Sequence, residues 1–142
     1  MEKFMLFLHA IGAVGGGFYV LLPFLVGRTT KLAGEGQAGL ADGLALANRF
    51  AQYFLILQLL TGGYLMTFAD YSVLWMVLSI GLFLAIAALG GVISKPLRGI
   101  AASIHAGQSA TSLINKARTM SIIILVLYLV IIFLMQYPDY RG

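Results

Sequence analysis

Residues 3–28 read KFMLFLHAIGAVGGGFYVLLPFLVGR, and between Lys3 and Arg28 there is no Asp, Glu, Lys or Arg. One side chain in the stretch titrates near neutral pH, His9. A helix crosses the hydrocarbon core of a bilayer in about 20 apolar residues, so this stretch is long enough to span. The rest of the chain has the same character. Of its 142 residues 61% are hydrophobic and 10% charged, with a mean hydropathy of +0.96, outside the range of water-soluble domains. The chain reads as an integral membrane protein.

Four stretches satisfy the length requirement: 4–26, 50–69, 73–94 and 119–137. The expected fold is all-α, one domain over 1–142, with four transmembrane helices in a bundle. The first stretch reads as a retained helix rather than a cleaved leader. Its apolar run exceeds a signal-peptide core, and LPFLVGRTT (22–30) is a poor match to a small-residue cleavage site. AGLADGLALANRFAQYF (38–54) and SATSLINKARTMSIII (109–124) are helix-compatible and run into the spans that follow them. Spans two and four should therefore extend beyond the membrane as longer helices. Pro96 is expected to end span three.

The charges set an orientation. Arg28, Lys31 and Arg49 lie between spans one and two, and Lys95, Arg98, Lys116 and Arg118 between spans three and four. The link between spans two and three offers only Asp70. The positive-inside rule then puts both long links in the cytoplasm and both termini outside, with Tyr71, Trp75, Tyr137 and Tyr140 forming an outer aromatic belt. The net charge of +4 is spread singly through the breaks between apolar runs, which lipid headgroups explain and which argues against nucleic acid. With no cysteine there is no disulfide framework and no thiolate metal site.

The two halves also look alike. Arg28 and Lys31 match Lys95 and Arg98, and AGLADGLALANR (38–49) matches AGQSATSLINKAR (106–118) with one gap. This is the pattern of a 2+2 parallel repeat about an axis along the membrane normal, although any two basic-flanked helical hairpins share such features.

His9, Gly12, Ala13 and Gly16 recur at helical spacing and share one face of span one. Small residues let another helix, or a flat cofactor, approach the backbone closely. At a rise of about 1.5 Å per residue, His9 lies at the depth of Gly62 and Gly63 in span two and Ser79 in span three. The expectation is a slot walled by His9 and the Gly62-Gly63 gap, with Met5, Met66 and Met76 near its mouth. An ionisable residue within a span is expensive and usually faces the bundle interior. Neutral imidazole is the commonest protein ligand of haem iron, and helix bundles commonly house haem. His9 is thus a candidate ligand to haem b, with Met76, its repeat counterpart, as a second axial ligand, or a second His9 across a homodimer. The competing reading is a structural histidine hydrogen-bonded to a carbonyl or hydroxyl. Quinone, another metal or a proton relay are further options at His9. His105 lies on the opposite side of the membrane and reads as a solvated residue. Gln58, near mid-membrane, reads as a helix-packing side chain, with donation to a bound ligand as the alternative.

No Asp, Glu, Lys or Arg falls deep in a span, which argues against a pump built on a buried carboxylate. No Walker loop, zinc motif or nucleophile elbow occurs.

The layout of LHAIGAVGGGFY (8–19), the basic residue closing span one, RF leading into span two, LLTGGYLM (59–66) and the closing RTMSIIILVLYLVIIFLMQYP (118–138) resembles a family of small bacterial four-helix integral membrane proteins. More distantly it is similar to HemJ-type protoporphyrinogen oxidases and CopD-type copper-resistance membrane domains. The HemJ likeness implies b-type haem at the position of His9. HemJ-type proteins carry a lysine in the third span that YSVLWMVLSIGLFLAIAALGG (71–91) lacks, so His9 alone is carried over. The expected function is a small b-type cytochrome-like protein of the bacterial cytoplasmic (inner) membrane, passing electrons to or from quinone or a partner. The alternative is an accessory subunit, docked through Gly12, Gly16, Gly62, Gly63, Gly90 and Gly91 in a homo-oligomer or a larger membrane complex.

Overall fold

The computed structural model describes residues 1–140. The described residues form five helices in sequence: α1 (Glu2–Gly16), α2 (Phe18–Thr29), α3 (Gly34–Leu65), α4 (Val73–His105) and α5 (Thr111–Gln136). α1 and α2 together make one apolar segment of 28 residues, and α3, α4 and α5 each make another, so four segments are long and apolar enough to cross a membrane. The molecule is an all-α four-helix bundle, with one end carrying both described termini and the other carrying the basic links.

Several boundaries differ from those the sequence suggests. The first segment is interrupted at Gly17, within the run Gly15-Gly16-Gly17 and ahead of Pro23. Glycine lowers helix stability, and an internal proline removes a backbone donor and crowds the carbonyl four residues back. α3 begins at Gly34, far ahead of 50, and stops at Leu65 rather than 69. α4 does not end at Pro96 but continues to His105. Pro96 is buried, and packing on both sides holds the helix together through the missing hydrogen bond. α5 starts at Thr111, so the expectation that spans two and four are extended helices is met.

Buried positions follow a heptad rhythm. In α5 they are Ile114, Ala117, Ser121, Ile124, Tyr128 and Ile131, alternating steps of three and four. α3 shows the same rhythm at Ala41, Leu44, Asn48, Ala51 and Leu55, and α4 at Ile86, Gly90, Ile93, Leu97 and Ile100. A repeat of 3.5 keeps one stripe of each helix facing its neighbours and is the geometry of knobs packed into holes. Large apolar side chains such as Phe24, Leu60, Leu74 and Phe133 point outward, as they would toward lipid.

The helices pack around a ring: α3 lies against α4, and α4 against α5. α2 closes the ring against both α5 and α3. The backbone of α1 packs on α3 alone among the other spans and stands off from that of α5, which reaches α1 through the Tyr128 side chain. The bundle is therefore closed at its basic end and parted between α1 and α5 at the other.

Two sets of polar contacts fasten it. Near the middle, the fully buried Tyr19 hydroxyl donates to Asn48 Oδ1 (2.8 Å) and accepts from Gln52 Nε2 (2.7 Å), while Asn48 Nδ2 donates to the Gly90 carbonyl (2.7 Å). These bonds tie the first segment to α3 and α3 to α4. A Cβ on Gly90 would run into Gln52 Nε2 and lie 2.5 Å from the Tyr19 hydroxyl, so glycine is what admits the cluster. At the terminal end, Trp75 Nε1 donates to the Leu134 carbonyl (2.9 Å), and Tyr71 stacks between Trp75 and Tyr140 at centroid distances of 4.6 and 5.2 Å. Ser72 N donates to the Asp139 carbonyl (2.8 Å).

Candidate functional site

Where α1 stands away from α5 there is a cleft of about 650 Å³, bounded by α1, α3, α4 and α5. Cavities that bind small molecules commonly measure about 300–1,000 Å³. Its walls are mostly apolar, with Leu55, Phe83, Ile86 and Ile131 on the interior side. Leu6, Val14 and Ile132, exposed on the outer faces of α1 and α5, form the lips. The cleft thus opens sideways, in the direction of lipid. Five polar side chains reach it: His9 from α1, Gln58 from α3, Ser79 from α4, and Tyr128 and Gln136 from α5.

His9 is fixed by Thr61. Its Nδ1 lies 2.8 Å from Thr61 Oγ1, and that hydroxyl in turn donates to the Leu57 carbonyl at 2.8 Å. A threonine hydroxyl has one proton, and a helical threonine commonly gives it to the carbonyl four residues back. Its oxygen is then the acceptor for His9, which places the imidazole proton on Nδ1. The lone pair is left on Nε2, for which no protein partner occurs among the described residues. The ring rests against Gly62, where a Cβ would lie 3.1 Å from His9 Cε1; glycine there leaves room for the imidazole.

Two polar atoms of the cleft are buried without a hydrogen-bond partner, Gln58 Oε1 and Ser79 Oγ. Ser79 stands apart from its peers. The buried hydroxyls of Thr29, Thr61 and Ser121 all donate to a carbonyl three or four residues back, and that of Ser79 does not. Buried polar groups are nearly always hydrogen-bonded, and in an apolar interior an unmade bond is costly. Tyr128 donates to the Ala13 carbonyl (2.8 Å) and lies over Gly16, where a Cβ would come 2.9 Å from its hydroxyl. It is the side chain that bridges α1 and α5 at the foot of the opening.

The structure brings together His9, Gly12, Gly62 and Gly63 of the sequence-derived candidates, and Met66 and Ser79 with them. It does not bring in Met76 or Met5, and Gly16 lies beneath Tyr128 rather than on the cleft wall. A His9/Met76 axial pair is therefore not assembled within one chain. The glycine face of α1 is not bare either. Gln58 covers Gly12, Phe54 covers Gly15 and Tyr128 covers Gly16, so these glycines admit side chains of α3 and α5. Gly63 has nothing facing it. His105 is remote and exposed, with Nε2 3.7 Å from an oxygen of Glu35, a surface contact of little energetic consequence.

Sequence reasoning passes over Thr61, and its signal was present: it directly precedes Gly62, at the depth already assigned to His9. The parting of α1 from α5 has no such signal. Among the described residues no group of three or more His, Cys, Asp or Glu side chains converges as a metal cage, and His9 is the single strong donor to a metal in the cleft. No protein-family model matches the chain, and no curated protein or solved structure matches it.

Proposed function

We propose that the protein binds a flat, lipid-soluble cofactor in the cleft between α1 and α5, and that this cofactor is a b-type haem held by Nε2 of His9. The observation that carries the reading is an imidazole that lines the cleft and is anchored through Nδ1 to Thr61, whose hydroxyl reaches the Leu57 carbonyl. With Nδ1 donating to Thr61, Nε2 is left to act as a ligand. Metal-ligating histidines are held in this manner, their second nitrogen donating to an outer partner that fixes tautomer and ring direction. The lateral opening gives a route from the bilayer, and the mostly apolar walls of the 650 Å³ cleft suit a macrocycle. Bound there, haem would supply one-electron chemistry. The protein would be a small cytochrome-like electron carrier of the bacterial cytoplasmic membrane, oriented by its basic links with both termini outside.

A second reading is favoured by the unpartnered Gln58 Oε1 and Ser79 Oγ. A quinol head group between them would give a hydroxyl hydrogen to the Gln58 oxygen, and a quinone carbonyl would accept one from Ser79. His9 Nε2 would accept a further hydrogen from the quinol.

The visible spectrum of the purified protein, oxidised and dithionite-reduced, separates the two. A Soret band that is lost in His9→Ala supports haem. Absence of the band after haem supplementation rules haem out, and its persistence unchanged in His9→Ala rules out His9 as its ligand. Co-purified quinone in solvent extracts, depleted in Ser79→Ala, would then establish the second reading. Purification only with partner proteins, without cofactor, would point to the accessory-subunit role.

A further inference from the structure

A second concavity, of about 420 Å³, lies at the opposite end of the bundle from His9. It is formed where α2 passes into its link and meets the first turns of α5. Its lining combines the basic Arg28, Lys31 and Arg118 and the hydroxyl-bearing Thr30 with Pro23, Phe24 and Gly27. These two groups differ in chemistry. Three cations converge at the headgroup edge, Arg28 from α2, Lys31 from the link that follows it and Arg118 from α5. Phe24, 70% exposed, and the open face of Gly27, where a Cβ would meet nothing within 4 Å, continue it into the apolar belt.

Arg28 and Lys31 are well placed at the C-terminal end of α2 for the helix dipole alone. That does not account for Arg118, which sits in the first turns of α5. Nor does an acidic partner. Among the described residues the one contact between a basic and an acidic side chain is that of His105 with Glu35, so all three cations of the concavity are without a protein counter-charge. Like charges brought together repel, and the arrangement is relieved by an anion. Basic pockets between membrane helices are the usual form of an anionic-lipid headgroup site.

We propose that this concavity binds the phosphate headgroup of an anionic phospholipid, with Arg28, Lys31 and Arg118 around the phosphate and an acyl chain running along Phe24 over Gly27. The guanidinium groups can meet phosphate oxygens in bidentate fashion while the lysine acts as a point charge. The lipid would bind α2 to α5, at the end where the bundle is closed, and the site is independent of any cofactor at His9.

The test is native mass spectrometry of the full chain released from nanodiscs of phosphatidylcholine containing a minor fraction of cardiolipin or phosphatidylglycerol. Retention of the anionic lipid over phosphatidylcholine is expected. Arg118→Ala and Lys31→Ala should each weaken it about fivefold, the effect of one basic residue near a lipid surface. Lys95→Ala with Arg98→Ala, which removes two cations from the same end of the bundle but outside the concavity, should leave retention unchanged. Circular dichroism of each variant confirms that the exposed substitutions leave the bundle folded. Equal retention of phosphatidylcholine would overturn the proposal, as would equal weakening by the Lys95/Arg98 variant, which would mean diffuse charge rather than a site. Displacement of the lipid by millimolar inorganic phosphate would assign the cations to a free anion and overturn the lipid reading.

Discussion

Replacing Thr61 by valine keeps the shape of a residue that is 1% exposed and removes its hydroxyl. The Leu57 carbonyl keeps its helical hydrogen bond, so the group that loses a partner is the N–H at His9 Nδ1. Hydrogen bonds between membrane helices contribute about 0.6 kcal/mol on average and up to about 1.7. The imidazole can relieve the loss by moving its proton to Nε2, and the tautomer ratio should therefore shift by the same free energy. With tenfold per 1.4 kcal/mol, that is about threefold to twentyfold in favour of the Nε2–H form. The assay is ¹⁵N solid-state NMR of histidine-labelled protein in lipid, with His105→Asn to leave one resonance pair. Wild type should show a protonated Nδ1 and a bare Nε2; Thr61→Val should show a mixture. A wild-type ring protonated at Nε2, or a ratio unmoved by the substitution, would refute the claim that Thr61 aims the lone pair into the cleft. If haem is bound, the same change should weaken it about tenfold to a hundredfold, the usual consequence of losing a partner to a ligating histidine.

Other substitutions probe the frame. Gly90→Ala puts a methyl group against Gln52 and the Tyr19 hydroxyl and should destabilise the bundle by about 1–3 kcal/mol, measurable as a lowered unfolding midpoint in detergent; an unchanged midpoint would mean the Tyr19 cluster does not hold the helices. Tyr128→Phe removes the bond to the Ala13 carbonyl and should cost only about 0.6 kcal/mol, yet let α1 swing from α5. A spin-label pair on the outer faces of the two helices should broaden its distance distribution, and an unaltered distribution would count against a tether at this point. Tyr71, outside the spans, has its phenol pKa raised from 10.0 by burial first, then by Tyr140 and Glu2. A raised phenol favours the neutral, folded arrangement at pH below 10 and loses that contribution as pH climbs through the raised value. The fluorescence of Trp75, which stacks on Tyr71, should hold steady below pH 10 and change above it, and a transition near neutrality would contradict the stacking.

Length and hydropathy settle four spans from the letters alone, because the lipid interior accepts only backbone whose hydrogen bonds are satisfied within the segment. The boundaries are less legible, since hydropathy records where a helix leaves the apolar layer and not where it stops. α4 runs on through Pro96, and α3 begins well outside any apolar run. His9 stands out in the sequence because a titratable residue is costly in a span, and its level with Gly62, Gly63 and Ser79 follows from helical rise. Its partner does not stand out: Thr61 is one of several uncharged hydroxyls, and its role depends on which faces of α1 and α3 meet. The glycines are similarly ambiguous. A smooth face admits a cofactor or a neighbour's side chain equally, and here Gln58, Phe54 and Tyr128 take the places over Gly12, Gly15 and Gly16.

What the sequence by itself determined, then, is the number of spans, the end that carries the positive charge and the one group within the apolar stretches that titrates near neutral pH. Which stripe of each helix faces inward was decided only in three dimensions. In water a hydrophobic face announces the interior, but lipid is as apolar as leucine, so hydropathy does not distinguish the two sides of a membrane helix. Burial instead falls on Ala41, Asn48, Thr61, Ser79, Gly90 and Ser121 among larger neighbours, while Leu60, Leu74 and Phe133 point outward. Their packing leaves the backbone of α1 apart from that of α5 and turns an isolated histidine into the wall of a cleft.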